Sequence, residues 1–103
     1  MKADKRPTSV NLSKSKTKDY RIVISSKAQK DYRHLDPPIQ NRITSAILKL
    51  SNTRYPQQFK SLIGKDIASF RLRVGDYRIL YDVYERDETV LILRIGHRRD
   101  IYR

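Results

Sequence analysis

The chain has 103 residues, enough for one domain with a modest core and too few for a dinucleotide-binding domain or a second unit. Its 23 Lys and Arg against 11 Asp and Glu give a formal net charge of +12, and the absence of cysteine removes disulfides, thiolate metal sites and thiol nucleophiles and fits a reducing cytoplasm. With 38% hydrophobic and 33% charged residues and no run near the roughly 18 apolar residues of a membrane span, a soluble, cytoplasmic, highly charged globule is expected, with no membrane partner.

Residues 1–19, MKADKRPTSVNLSKSKTKD, carry a net +4 and leave +8 to the rest of the chain. They lack the apolar core of a signal peptide and read as a flexible basic leader, followed by one domain over 20–103. Tyr-Arg-Ile-Val-Ile-Ser from Tyr20 predicts a first strand whose closing Ser-Ser caps a helix. In that helix Ala28, Tyr32 and Leu35 share one face, and it is expected to run to about Asp36. Asp36-Pro37 restarts the chain, and Ile39, Ile43, Ala46, Ile47 and Leu50 trace the apolar stripe of a second helix. The polar stretch Ser51–Gln58, with Pro56 inside it, closes it.

The character then turns to β. Phe59–Leu62 predicts a short strand, Gly64 breaks it, and Phe70, Leu72 and Val74 alternate with Arg71 and Arg73 before Gly75-Asp76. That pair predicts a two-residue type II′ hairpin with Val74 opposite Tyr77, Arg73 opposite Arg78, Leu72 opposite Ile79, Arg71 opposite Leu80 and Phe70 opposite Tyr81. Opposed residues share a face, so Phe70, Leu72, Val74, Tyr77, Ile79 and Tyr81 form an apolar side while Arg71, Arg73 and Arg78 gather on the other. Such a side is either solvated with counterions or a surface for an anion. A second turn at Glu85–Glu88 leads to Thr89–Ile95, apolar on both sides and therefore central. A four-residue turn puts His97 on the face of Arg78, whereas a bulge at Gly96 puts Arg98 there. The expected fold is α+β, with two N-terminal helices on one face of a small, mainly antiparallel sheet in the order β-α-α-β-β-β-β, and the other face open and basic.

The two Glu sit in a turn and the two His, His34 and His97, are far apart, so no metal and no cofactor is expected. His34 reads as structural or solvated. What remains is Arg with Tyr and one His, the residues that hold phosphates. Arginine brings a fixed charge and a bidentate fork to a phosphate and to the charge that grows on it. RNA supplies its own nucleophile in the 2′-hydroxyl, so orienting that group is chemistry enough.

Phe-Arg-Leu-Arg-Val-Gly-Asp-Tyr-Arg-Ile-Leu-Tyr at 70–81 and Ile-Gly-His-Arg-Arg-Asp-Ile-Tyr at 95–102, with the Leu62–Gly64 turn and the Ala28–Leu35 helix, resemble the RelE/ParE superfamily of toxin–antitoxin toxins, closest to the RelE-type mRNA interferases. The likeness spans Tyr20 to Tyr102. It implies a toxin that enters the ribosomal A site, cleaves mRNA by 2′-hydroxyl attack and is held by a cognate antitoxin, which alone would bring it to operator DNA. It also implies catalytic roles for Arg71, Arg78, Arg98 and Tyr102. Arg73, Lys60, Lys65 and Arg99 are the accompanying RNA-binding positions. Where RelE toxins often carry a lysine two residues before the first of these arginines, this chain has Ser69, and Tyr102 or His97 is left to move the proton. A ParE-like toxin that holds a target such as gyrase without cutting, or a homologue acting only within an antitoxin complex, are the other readings of the same resemblance.

Overall fold

The computed structural model describes residues 19–64 and 66–102, so the expected leader, Asp19 excepted, and Lys65 lie outside the described residues. The chain forms β1 (Arg21–Ile24), α1 (Ser26–Arg33), α2 (Pro37–Leu50), β2 (Phe59–Ser61), β3 (Phe70–Val74), β4 (Tyr77–Tyr84) and β5 (Thr89–His97). The strands make one sheet in the order β1-β5-β4-β3-β2, parallel only between β1 and β5. This is the expected α+β order.

Ser25 starts α1 by accepting the Ala28 N–H at 3.0 Å, and its hydroxyl donates to the Leu93 carbonyl at 3.0 Å, which fixes the helix to the sheet as it begins. α1 ends at Arg33, sooner than the sequence suggests, because Asp36 must be extended ahead of Pro37. His34 is the exposed C-cap, its Nδ1 2.8 Å from the Lys30 carbonyl, in keeping with a structural role. Ile43, Ile47 and Leu50 of α2 and Ala28 of α1 pack with Leu72, Ile79, Tyr81, Val90, Ile92 and Ile95 in the main core.

β1 covers only Thr89–Ile92 of β5, and α1 takes over that edge beyond it. Asp31 accepts the Ile95 N–H at 2.9 Å and the Arg94 Nε–H at 2.8 Å, so a strand edge that would be left unpaired is closed by one carboxylate. At the opposite end of the sheet the Tyr20 and Tyr55 hydroxyls both donate to Glu85, the Tyr81 hydroxyl donates to the Arg54 carbonyl at 2.7 Å, and the Arg54 guanidinium lies 3.7 Å from the Tyr20 ring centre. The hydrogen bonds from Tyr20 and then Tyr55 hold the Glu85 carboxyl below its ordinary pKa, while burial and the bond to Glu85 push the Tyr55 hydroxyl up to about 12.

The β3–β4 register is the one read from the sequence, pair for pair. Gly75 has φ +60 and Asp76 stays out of the positive-φ region, as a type II′ turn requires. Two expectations need correction. The bulge lies at Leu93 rather than Gly96: Tyr81 pairs with Ile92 and Leu80 with Arg94, so Leu93 is the extra residue. The second face of the sheet is also not wholly open. Leu80 and Ile101 are fully buried there with Ala68, flanked by Leu62 and Leu93, because the turn after β5 folds back and seats Ile101 against Gly96 and Leu80.

Asp31→Ala is expected to lower stability by about 2 kcal/mol, since it strands a backbone donor and a guanidinium, and Asp31→Asn should recover part of that through its amide oxygen; urea midpoints at constant m read both. For Glu85 the folded pKa lies below the unfolded one. Its contribution is therefore present above the usual carboxylate range and is lost as pH falls through the folded value, so Glu85→Gln should flatten the acid limb of a stability-versus-pH curve.

Candidate active site: the arginine face

Strand alternation and the two-residue turn together put Arg71, Arg73 and Arg78 on one side of the sheet, with Arg73 directly opposite Arg78. β2 adds Lys60 directly opposite Arg71, so two like-charged pairs stand side by side. The bulge then supplies a fifth cation. After Leu93 the parity of β5 reverses, Arg78 faces Gly96, and the ladder runs on so that the Arg98 N–H donates to the Asp76 carbonyl at 2.8 Å. Arg98 thereby stands on the side of Arg78, and its Nε lies 3.6 Å from Asp76 Oδ1 in an exposed ion pair.

Arg78 is half-buried at the centre of this group. Its Nη1 donates to the Gly75 and Tyr77 carbonyls, both at 2.9 Å, which fixes the guanidinium against the turn. Burial lowers its pKa, and the charges of Arg71, Arg73 and Arg98 lower it further, with Tyr102 acting the other way. An arginine so placed stays protonated, so the crowding is felt as attraction for an anion rather than as loss of a proton.

Tyr102 follows the buried Ile101 and is 41% exposed. It lines a groove of about 340 Å³ with Lys60, Ser61, Leu62, Ile63 and Arg71. Ile101, buried in the second core, anchors the turn that carries Tyr102.

His97 is not part of this arrangement. It pairs with Tyr77 on the helix side, the two rings edge to face at 5.4 Å, and its Nδ1 accepts the Arg99 N–H at 3.2 Å. Its carbonyl accepts the N–H groups of Asp100 and Ile101 at 2.9 and 3.0 Å, so His97 holds the C-terminal turn. The single-residue bulge is what turns His97 away from Arg78. Arg99 is exposed within that turn. Two residues outside the expected set belong to the surroundings of the site. Asp76 balances Arg98, and Arg42 reaches the hairpin tip, where its Nη2 fills the space that a Cβ on Gly75 would need. The register of β5 would have revealed the first; nothing in the spacing of α2 marks the second. Among the described residues no three His, Asp or Glu side chains cluster as ligands of a metal ion would.

The chain matches the family described as the ParE toxin of the type II toxin-antitoxin system, parDE, over residues 22–102. It is 33% identical over 88 residues to Toxin RelG of Mycobacterium tuberculosis (strain ATCC 25618 / H37Rv), a match covering 82% of this chain and 97% of that protein. Its fold is similar to that of the toxin-antitoxin complex RelBE2 from Mycobacterium tuberculosis, with a TM-score of 0.72, 30% identity, and 84% of this chain and 100% of that chain covered. The archaeal RelE-RelB complex from Pyrococcus horikoshii OT3 gives a TM-score of 0.69 at 26% identity, covering 80% of this chain and 98% of that one. The arginine-rich hairpin is thus carried by a chain that belongs to the RelE/ParE superfamily of type II toxin–antitoxin toxins.

Proposed function

We propose that this toxin is an endoribonuclease that cuts mRNA in the ribosomal A site of the cytoplasm, with the RNA 2′-hydroxyl as nucleophile. The observation that carries this reading is the crowding of Arg71, Arg73 and Arg98 around a half-buried Arg78 whose guanidinium is braced by two backbone carbonyls. Attack of the 2′-oxygen on the adjacent phosphorus breaks the bond to the 5′-oxygen and leaves a 2′,3′-cyclic phosphate and a 5′-hydroxyl. One proton must leave the 2′-oxygen and one must reach the 5′-oxygen. Arg71 and Arg98 grip the phosphate, and Arg78, already fixed before substrate arrives, meets the charge that grows on it. Tyr102, beside Arg71, is the group on this face suited to stack on a base or exchange a proton. Lys60, Arg73 and Arg99 hold flanking phosphates.

The second partner in this reading is an antitoxin, as in the complexes of the similar structures. An apolar groove of about 380 Å³ along β1, lined by Ile22, Ile24, Tyr32, Ile47, Leu48 and Ile95, suits one face of an amphipathic helix. The ParE description of the matching family favours a second reading, a toxin that holds a target such as gyrase and cuts nothing.

Arg78→Ala is expected to reduce single-turnover cleavage on a programmed ribosome roughly a hundredfold to a thousandfold, about 2.7 to 4 kcal/mol, with little change in ribosome affinity, because it removes one preorganised donor among 23 Lys and Arg. Equal losses of rate and affinity would reduce Arg78 to an attractor of RNA. Product ends are a separate check: 3′-hydroxyl and 5′-phosphate termini are incompatible with 2′-hydroxyl attack, and toxicity without any cut mRNA selects the gyrase-type reading.

A further inference from the structure

The hairpin tip has a second basic surface on its helix side. β2 is three residues long and flanks only Phe70–Leu72 of β3, so the outer end of β3 is overhung by α2 across a groove of about 450 Å³. Asn41, Arg42, Ser45 and Lys49 line it from one face of α2, and Gln58 and Arg73 border it from the sheet side. No Asp or Glu lines it. Along the helix, Arg42 and Lys49 are separated by about 10.5 Å of rise.

Two contacts make this groove continuous with the arginine face. Arg73 lines the groove and is also one of the charges that act on Arg78. Gly75 is the other. The Arg42 guanidinium fills the space where a Cβ would stand, while the Gly75 carbonyl accepts from Arg78. Two guanidiniums from different layers thus converge on one turn residue, and any side chain at position 75 would displace the first.

We propose that this groove is a docking track for the ribose–phosphate chain of an RNA strand that leaves the arginine face around the hairpin tip. The inference rests on the RNA reading of that face. Its cations are spaced along a line rather than focused on one point, and its neutral donors, Asn41, Ser45 and Gln58, suit phosphate and ribose oxygens. The apolar groove along β1 has the opposite chemistry, with Ile24 and Leu48 exposed toward a partner and Ile22 half-buried beside them. A helix with a large apolar face fits that groove and not this one. A strand already held at Arg78 passes Arg73 first and then lies within reach of Arg42 and Lys49.

The test uses the full chain with uniformly 2′-O-methylated single-stranded RNA, which its own 2′-hydroxyl cannot cleave, beside a dinucleotide of the same chemistry, too short to leave the arginine face. Arg42→Ala/Lys49→Ala is expected to weaken binding of the longer RNA, to reduce the slope of log K against log salt by about 1.4, the release expected for two single-strand phosphate contacts, and to leave the dinucleotide unaffected. Lys27→Ala/Lys30→Ala, removing two exposed charges from α1, should change neither. An unchanged slope, an equal loss in the α1 variant, or a wild type that binds no RNA overturns the proposal. So does a groove variant that loses binding of a polyglutamate peptide but not of RNA, which would assign the groove to an acidic protein segment. Groove-dependent binding in a protein that cuts no mRNA keeps the track and removes the nuclease, and ribosomal cleavage with no groove dependence does the reverse.

Discussion

β4 leaves Leu93 of β5 unmatched, and both faces of the sheet take their composition from that mismatch. Before it, Val90 and Ile92 point into the main core. After it, Ile95 still does, although it lies three positions on from Ile92 and strict alternation would send it to the other side. The bulge therefore lets one strand feed the helix-side core at both ends while sending Leu93 to the second core. It also sends His97 to the helix side and Arg98 to the side of Arg78. A strand without it would bring the His97 imidazole to the arginines and send Arg98 to the helix side, with neither core filled as it is now.

The arginine face shows how charge crowding is tolerated when the scaffold supplies the restraint. Lys60 opposite Arg71 and Arg73 opposite Arg78 each place like charges across a strand pair, which is unfavourable in a sheet. Three features offset it. Asp76 lies beside Arg98, the Gly75 and Tyr77 carbonyls take the Arg78 donors, and apolar contacts under the same face bury Leu80 and Ile101. The turn that carries Arg98 and Tyr102 is held by Ile101, so both side chains stand on a packed element rather than on a loose end. That rigidity is what a preorganised phosphate site needs.

The helices, the five strands and the β3–β4 register were legible because each rests on a local rule: a cap, a stripe, an alternation, a two-residue turn. The grouping of Arg71, Arg73 and Arg78 followed from that register alone. The places of His97 and Arg98 did not, since a bulge is selected by packing on both sides of a strand and no residue at Leu93 announces it. The second core escaped for a similar reason. Leu80 reads as the odd apolar residue on a charged face, and only the return of the chain at Ile101 gives it a partner. Arg42 is invisible to any helical periodicity, because what singles it out is a glycine on another element.

The two grooves of the helical layer lie at different edges of the sheet, one beside β1 and the other over β3. The first is apolar and the second cationic, so they select different surfaces: an amphipathic helix buries its face in one, while a polyanion lowers the self-repulsion of the other. A partner confined to the β1 groove would leave Arg78 uncovered, because β5, β4 and the hairpin tip intervene. Silencing the arginine face from that groove therefore needs either a second segment that crosses the sheet edge or a displacement of the turn carrying Arg98 and Tyr102. Ile101 makes the second route costly, since lifting the turn exposes Leu80 and empties the second core. The architecture thus favours inhibition by an extended partner that contacts both sides over a compact one seated on either.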